Sequence, residues 1–257
     1  MSSRSNIVVQ KFGGTSVANI DRMRRVCQHI QREYKKGSKV VVVVSAMAGE
    51  TDRLINLAKS ITEFPPEDEV DVLLSTGETV SVALVSIILK SMGIKAKSYL
   101  GFQVRIITDD NFSNARIIEI ETEKILKDLS YGIVPVIAGF QGVTRDGRIT
   151  TLGRGGSDTT AVAVAASLKA KVCEIYTDVP GVFTTDPNIE PKAKKIDFVS
   201  YEEMMELASL GAKVLQIRSV EIAARFKIPI HVRSTFSDEQ GTIVAESRKY
   251  LKEILNY

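Results

Sequence analysis

The chain has 257 residues, of which 44% are hydrophobic and 25% charged, with a net charge of +3. That is enough for one large domain, or two closely packed lobes, with a sizeable core. Lysines and arginines are scattered among acids without a basic stripe, which argues against nucleic acid as a partner. No apolar run reaches the roughly 18–20 residues of a membrane span, and the N-terminus has no stretch suited to a signal peptide.

In chain order, residues 7–12 read as a strand, and Ile20, Met23, Val26, Ile30 and Tyr34 recur at helical spacing up to Gly37. Residues 40–46 form a nearly continuous β-branched run, the pattern of a strand buried on both faces. Residues 54–61 read as a helix, and Pro65-Pro66 as a loop. The chain turns helical again from Val70, and residues 80–92 form a strong apolar helix closed by Gly93. Residues 96–104 read as a strand, 117–129 as an amphipathic helix and 133–140 as a buried strand. Asp146-Gly147 predicts a hairpin turn between strands at 142–144 and 148–151. An Ala-rich helix at 159–170 and a strand at 172–177 follow, then helices at 202–210 and 214–226. Short strands at 230–232 and 242–244 and a charged helical tail at 246–257 complete the order.

This alternation predicts an α/β fold, a three-layer αβα sandwich around a mostly parallel sheet. Ligands of such folds gather at the carboxyl ends of the strands. Cys27 and Cys173 read as buried free thiols, and the chain as cytoplasmic. His29 and His231 have no partner at metal-ligand spacing, and no metal ligand is assigned.

Five motifs fall after strands or before helices. Lys11-Phe12-Gly13-Gly14-Thr15-Ser16 follows the first strand. Its glycines let backbone N–H groups approach an anion, a helix terminus follows, and Lys11 adds a full charge. A plain strand-to-helix turn would use the same glycines, and the spacing is not that of a Walker A loop. Gly153-Arg154-Gly155-Gly156-Ser157-Asp158 precedes the Ala-rich helix. Arg154 suits a bidentate grip on a carboxylate, and Asp158 reads as the helix N-cap, a catalytic acid, or both. Ser75-Thr76-Gly77-Glu78 fits a capping box opening the helix at Val80, or a site for an ammonium group at Glu78. The loop after residue 177 offers Thr177, Asp178 and Phe183 to a nucleotide, or is an ordinary double turn. Ser45 stands at a strand's carboxyl end, and Thr51 reads as a cap of the next helix.

Together the motifs KFGGTS, VVVSAMAGET, STGE, TTLGRGGSD, TDVPGVFTTDP and LGAKVLQIRSVEIA, in this order from Lys11 to Ala223, resemble the amino-acid kinase superfamily, and within it the aspartate kinase family. The resemblance implies the amino-acid kinase fold, with ATP and Mg²⁺ as cofactors and L-aspartate as the small-molecule substrate. It implies that Lys11 stabilises the transferring phosphoryl group, with Phe12, Gly13 and Gly14 at the nucleotide, and that Asp158 organises the catalytic groups. Arg154, with Gly155, Gly156 and Ser157, would hold a substrate carboxylate. Glu78 would receive the ammonium, and Ser45 and Thr51 would line the same pocket. Thr177, Asp178, Phe183 and Val214 would contact the nucleotide, and Lys213 would be a second cation near the phosphates.

The resemblance further implies an amino-acid-substrate lobe at about residues 1–165, an ATP lobe at about 166–245 and a tail at 246–257. It departs at Asn188, where some relatives carry Arg after TTDP. It also stops at Tyr257, whereas many relatives continue into two ACT regulatory domains. We therefore expect a catalytic domain that is insensitive to lysine, threonine and methionine, working as a homo-oligomer or with a regulatory chain. Glutamate or acetylglutamate kinases of the same superfamily, and a non-catalytic binding protein of this fold, are the alternatives.

Overall fold

A computed structural model of the protein describes residues 5–185, 190, 192–210 and 214–255. The first half runs β1 (Ile7–Phe12), α1 (Ile20–Lys35), β2 (Lys39–Val44), α2 (Glu50–Lys59), α3 (Glu67–Ser91), β3 (Ala96–Tyr99), β4 (Ile106–Thr108), β5 (Ile117–Ile120), α4 (Glu123–Ser130) and β6 (Val134–Ala138). The second runs β7 (Gln141–Val143), β8 (Ile149–Thr151), α5 (Gly156–Ser167), β9 (Val172–Thr177), β10 (Val182–Phe183), β11 (Lys195–Ile196) and β12 (Phe198–Val199). It closes with α6 (Tyr201–Ser209), α7 (Ile217–Phe226), β13 (Ile230–Ser234), β14 (Thr242–Val244) and α8 (Lys249–Leu255).

Eight strands form the main sheet in the order β12-β14-β13-β9-β1-β2-β6-β3. From β13 to β3 every neighbouring pair is parallel, and only the β13–β14 pairing is antiparallel. Successive side chains of a strand point to opposite faces, so the valine run of β2 serves two cores at once. Val41 and Val43 join Val9, Ile137 and Ile175 against α4, α5, α6 and α7. Val40, Val42 and Val44 join Phe12, Val136 and Tyr176 against α1 and α3. The three-layer sandwich expected from the sequence is the one observed.

The central strands also bury a charged network. Glu174 on β9 accepts hydrogen bonds from Gln10 Nε2 (2.7 Å), Arg233 Nη1 (3.1 Å) and the Tyr176 hydroxyl (3.2 Å). Burial alone would raise its carboxyl, but His231, Arg233 and Gln10 together hold it well below the usual carboxylate range.

Several boundaries differ from the sequence reading. Residues 96–104 are not one strand, because β3 ends at Tyr99 and the chain turns before β4. Residues 117–129 split into a strand and a helix. The β-branched Ile117-Ile118 start pairs antiparallel with β4, and α4 begins only at Glu123. The late helix begins at Ile217 rather than 214, and two short strands, β10 and β11, form a pair that the sequence did not announce.

The largest departure is α3, a single helix of 25 residues begun by Pro66. It runs straight through Ser75-Thr76-Gly77-Glu78, so no capping box exists there: Ser75 donates instead to the carbonyl of Val72 within the helix. Its most apolar window has a mean hydropathy of 2.0, long and apolar enough by composition to cross a membrane, contrary to the expectation from the sequence. In this fold Leu74, Val82, Val85 and Leu89 are spent on the core. A second sheet, β5-β4-β7-β8, lies alongside α3, which contacts β8 as well as β2, β3 and β6. The Asp146-Gly147 hairpin joins β7 to β8 as expected.

Candidate active site

The parallel strands deliver their following loops to one edge of the sheet. Backbone hydrogen bonds tie these loops together: Gly13 N to Tyr176 O (3.4 Å), Ser45 N to Phe12 O (3.1 Å), Gly139 N to Val44 O (2.9 Å) and Thr235 N to Thr177 O (2.9 Å). A cavity of about 380 Å³ opens at this edge. Its wall contains Lys11, Gly14, Ser45, Thr51, Glu78, Arg154, Gly155, Gly156, Ser157 and Asp158, ten of the residues singled out from the sequence.

Lys11 lies near the end of β1 with its ammonium 2.6 Å from Asp158 Oδ1, and both side chains are nearly buried. The contact is an ion pair without a well-directed hydrogen bond at that oxygen. It forms because α5 packs across β1, β2 and β9 and carries Asp158 in its first turn. Asp158 is therefore not the N-cap. That position belongs to Gly155, whose φ of +71° is left-handed and favours glycine. A Cβ at Gly155 would also sit 1.7 Å from Cγ of Gln216.

The glycine turn is pressed onto its neighbour: a Cβ on Gly14 would lie 2.9 Å from the carbonyl oxygen of Ala46, and Ala48 N donates to Gly14 O (3.2 Å). The expected helix dipole arrives from a different place. α1 starts only at Ile20, capped by Asn19, and sends no residue to the cavity, whereas the first three residues of α5 line it. Thr51 is likewise not a cap, since α2 begins at Glu50 behind Gly49. Thr51 stands in its first turn and lines the cavity.

Glu78 projects from α3 and is 3% exposed. Its Oε1 accepts the N–H of Ala46 (3.0 Å), and its Oε2 has no partner among the described residues. Burial pushes its carboxyl up to about 7, with the Ala46 N–H working in the opposite direction. A buried acceptor left open in a cavity wall calls for a donor from a ligand. Arg154 lines the same cavity and makes no ion pair among the described residues. Among those residues no three His, Cys, Asp or Glu side chains gather to hold a metal.

The remaining expected residues lie apart from this cavity. The Phe12 ring is fully buried and stacked on Tyr176 at 4.6 Å, so only its backbone is left for a ligand. Gly13 is not in the cavity wall; its N–H donates to Tyr176 O at the end of β9 (3.4 Å). Thr177 exchanges hydrogen bonds with the backbone of Val179. Asp178, Phe183 and Val214 do not line the cavity. Lys213 and Asn188 lie outside the described residues. Sequence reasoning missed Met47, Asp52, Phe140 and Gln216 in the wall. Gln216 sits inside one of the six motifs, but an uncharged side chain with no chemical pattern around it gave no signal.

A parallel sheet with its cavity at the strands' carboxyl ends marks an α/β protein that binds small molecules. Within that class the chain belongs to the amino acid kinase family, whose model matches residues 6–234. It is 55% identical over 240 residues to an aspartokinase of Geobacillus stearothermophilus, covering 93% of this chain and 59% of that protein. The crystal structure of aspartate kinase from Synechocystis superposes with a TM-score of 0.84 at 51% identity, over 94% of this chain and 40% of that one. That of E. coli aspartokinase III in complex with aspartate and ADP gives a TM-score of 0.85 at 32% identity, over 94% and 65%. The chain thus spans about three-fifths of the length of the curated relatives it matches.

Proposed function

We propose that the chain transfers the terminal phosphoryl group of ATP to the side-chain carboxylate of L-aspartate, giving ADP and 4-phospho-L-aspartate. The observation that carries this reading is the open Glu78 carboxylate and an Arg154 without an ion pair among the described residues, sharing one cavity with the Lys11–Asp158 pair. A substrate that answers both grips has an ammonium and a carboxylate at one end. Acetylglutamate lacks the first.

Glu78 Oε2 receives the ammonium and Arg154 holds the α-carboxylate, which leaves the side-chain carboxylate facing Lys11. That carboxylate is already ionised near pH 7, so no general base is needed. Its oxygen forms a bond to the γ-phosphorus while the bond from that phosphorus to the β-phosphate oxygen breaks, and ADP leaves with the electron pair. Catalysis therefore rests on positioning and charge neutralisation. Lys11 balances the transferring group, Asp158 holds Lys11 in place, and the first turn of α5 supplies its dipole. Magnesium, bound with the nucleotide, supplies further neutralisation of the phosphates.

Thr177, Asp178, Phe183 and Val214 are proposed as contacts of the nucleotide, with Lys213 as a second cation, in an ATP lobe at about residues 166–245. Two buried free thiols suit a reducing compartment, and the cytoplasm is the proposed location. The product would supply lysine, threonine and methionine synthesis.

The test is turnover with Mg-ATP in hydroxylamine, which traps an acyl phosphate as a coloured hydroxamate. Signal with L-aspartate and none with L-glutamate is expected. Hydroxamate from glutamate alone would move the reading to a glutamate kinase, and no hydroxamate from either, with the protein folded, would leave a binding protein.

A further inference from the structure

We propose that Asp71 is a positioning residue that fixes the Arg154 loop against the helix carrying Glu78, and so sets the spacing of the two substrate grips. This rests on the reading of Glu78 and Arg154 as those grips. Asp71 is wholly buried on α3, a rare setting for a carboxylate unless every lone pair is used. Here they are used. Oδ2 accepts the backbone N–H groups of Ser113 (2.9 Å) and Thr151 (2.8 Å), and Oδ1 accepts their hydroxyls at 3.3 and 2.6 Å.

Both partners lead to the Arg154 loop. Thr151 ends β8, and the chain passes through Leu152 and Gly153 directly to Arg154. Ser113 holds a left-handed φ of +62°, unfavourable for a serine unless its N–H is well anchored. The turn it forms is the bed on which Gly153 lies: a Cβ on Gly153 would meet Asn114 Oδ1 at 2.9 Å and Ser113 O at 3.1 Å. Ala115 N donates to Thr151 O (2.9 Å), closing this turn onto β8. From the far side, Arg218 of α7 donates to Leu152 O (3.2 Å) and Asn114 Oδ1 (2.7 Å). Asp71 thus supplies one jaw of a clamp on the loop and Arg218 the other.

Asp71 and Glu78 are two helical turns apart on one face of α3, about 10 Å along its axis. One rigid helix therefore sets both ends of the amino acid, one directly and one through the loop.

Asp71→Ala should raise the KM for aspartate at least tenfold while the KM for ATP stays within twofold, assayed well below the variant's Tm. Asp71→Asn keeps an oxygen for the two N–H groups and an amide for the hydroxyls, and should restore most of the affinity. If the alanine variant does not fold, Thr151→Val, which removes only the 2.6 Å bond, should raise the aspartate KM about threefold. In the double variant with Arg154→Ala, the Asp71 effect on aspartate KM should largely vanish, because Asp71 acts through that loop. An unchanged aspartate KM in Asp71→Ala or Thr151→Val, or parallel rises in both KM values, overturns the inference while Arg154→Ala still weakens aspartate. If Arg154→Ala itself leaves aspartate KM unchanged, the grip reading falls and takes this inference with it.

Discussion

Lys11 and Asp158 meet at 2.6 Å in a nearly buried pair, so each substitution removes more than one function. Lys11→Ala should lower kcat by roughly 10²–10³, about 3–4 kcal/mol, the usual loss for one charge-stabilising donor. Single-turnover kinetics on protein shown to be folded checks this, and near-normal turnover would remove Lys11 from the chemistry. Arg154 is exposed and makes no ion pair among the described residues, so Arg154→Ala should raise the KM for aspartate sharply, leave that for ATP nearly unchanged and barely move the Tm.

Glu78 makes a prediction about pH. Its carboxyl is raised from 4.5 to about 7, so between those values the folded, ligand-free chain keeps a proton that the unfolded chain gives up. Stability should fall as pH rises through this window. An arriving ammonium favours the ionised form, so aspartate binding should release a proton near neutrality and tighten as pH approaches 7, then level off. Calorimetry in buffers of different ionisation enthalpy reads that proton. Glu78→Gln should abolish both the release and the pH dependence, and a pH-dependent KM persisting in that variant would assign the titration to another group.

At the scale of elements, α3 shows what a local pattern can and cannot reveal. Ser75 and Glu78 have capping-box spacing, yet the apolar positions on either side belong to one continuous helix. Packing decided between two readings that were locally equal. The glycine between them has a tertiary reason, since a Cβ on Gly77 would lie 2.8 Å from Cβ of Ala46. A mid-helix Gly→Ala change ordinarily stabilises by about 1 kcal/mol, but overpacking costs about 1–3 kcal/mol. Gly77→Ala should therefore lower the Tm rather than raise it, and weaken aspartate binding by displacing Ser45 and Ala46. A higher Tm with an unchanged aspartate KM would show that the helix has room to move.

The central strands were legible because runs such as Val40 to Val44 have few alternatives in a folded chain. Residues 117–129 were not, because an isoleucine-rich strand followed by a short amphipathic helix imitates one longer helix. In the cavity, charged residues within glycine-rich motifs announced themselves. Asp71 and Gln216 did not, because their importance comes from partners far away along the chain.

For the whole molecule, one sheet divides two cores, and each contains a free thiol. Cys27 lies in the layer with α1 and α3, and Cys173 in the layer with α5 and α7. Burial pushes the Cys27 thiol up to about 12 and raises Cys173 as well, so neither should react in the native state. If the sheet couples both layers into one cooperative unit, pulsed thiol labelling should detect both cysteines at the same denaturant concentration. Two separate midpoints would show that the layers melt independently.

The pairing of Lys11 with Asp158 also shapes how the empty cleft greets the cell. With its cation already matched by an internal anion, Lys11 by itself offers little to a stray phosphate ion, which must part the pair unaided. A nucleotide that brings attachments elsewhere on its length can do so. On the proposed function, selectivity for ATP over loose phosphate would begin before any chemistry, with a lysine that is occupied until a larger ligand parts it from Asp158.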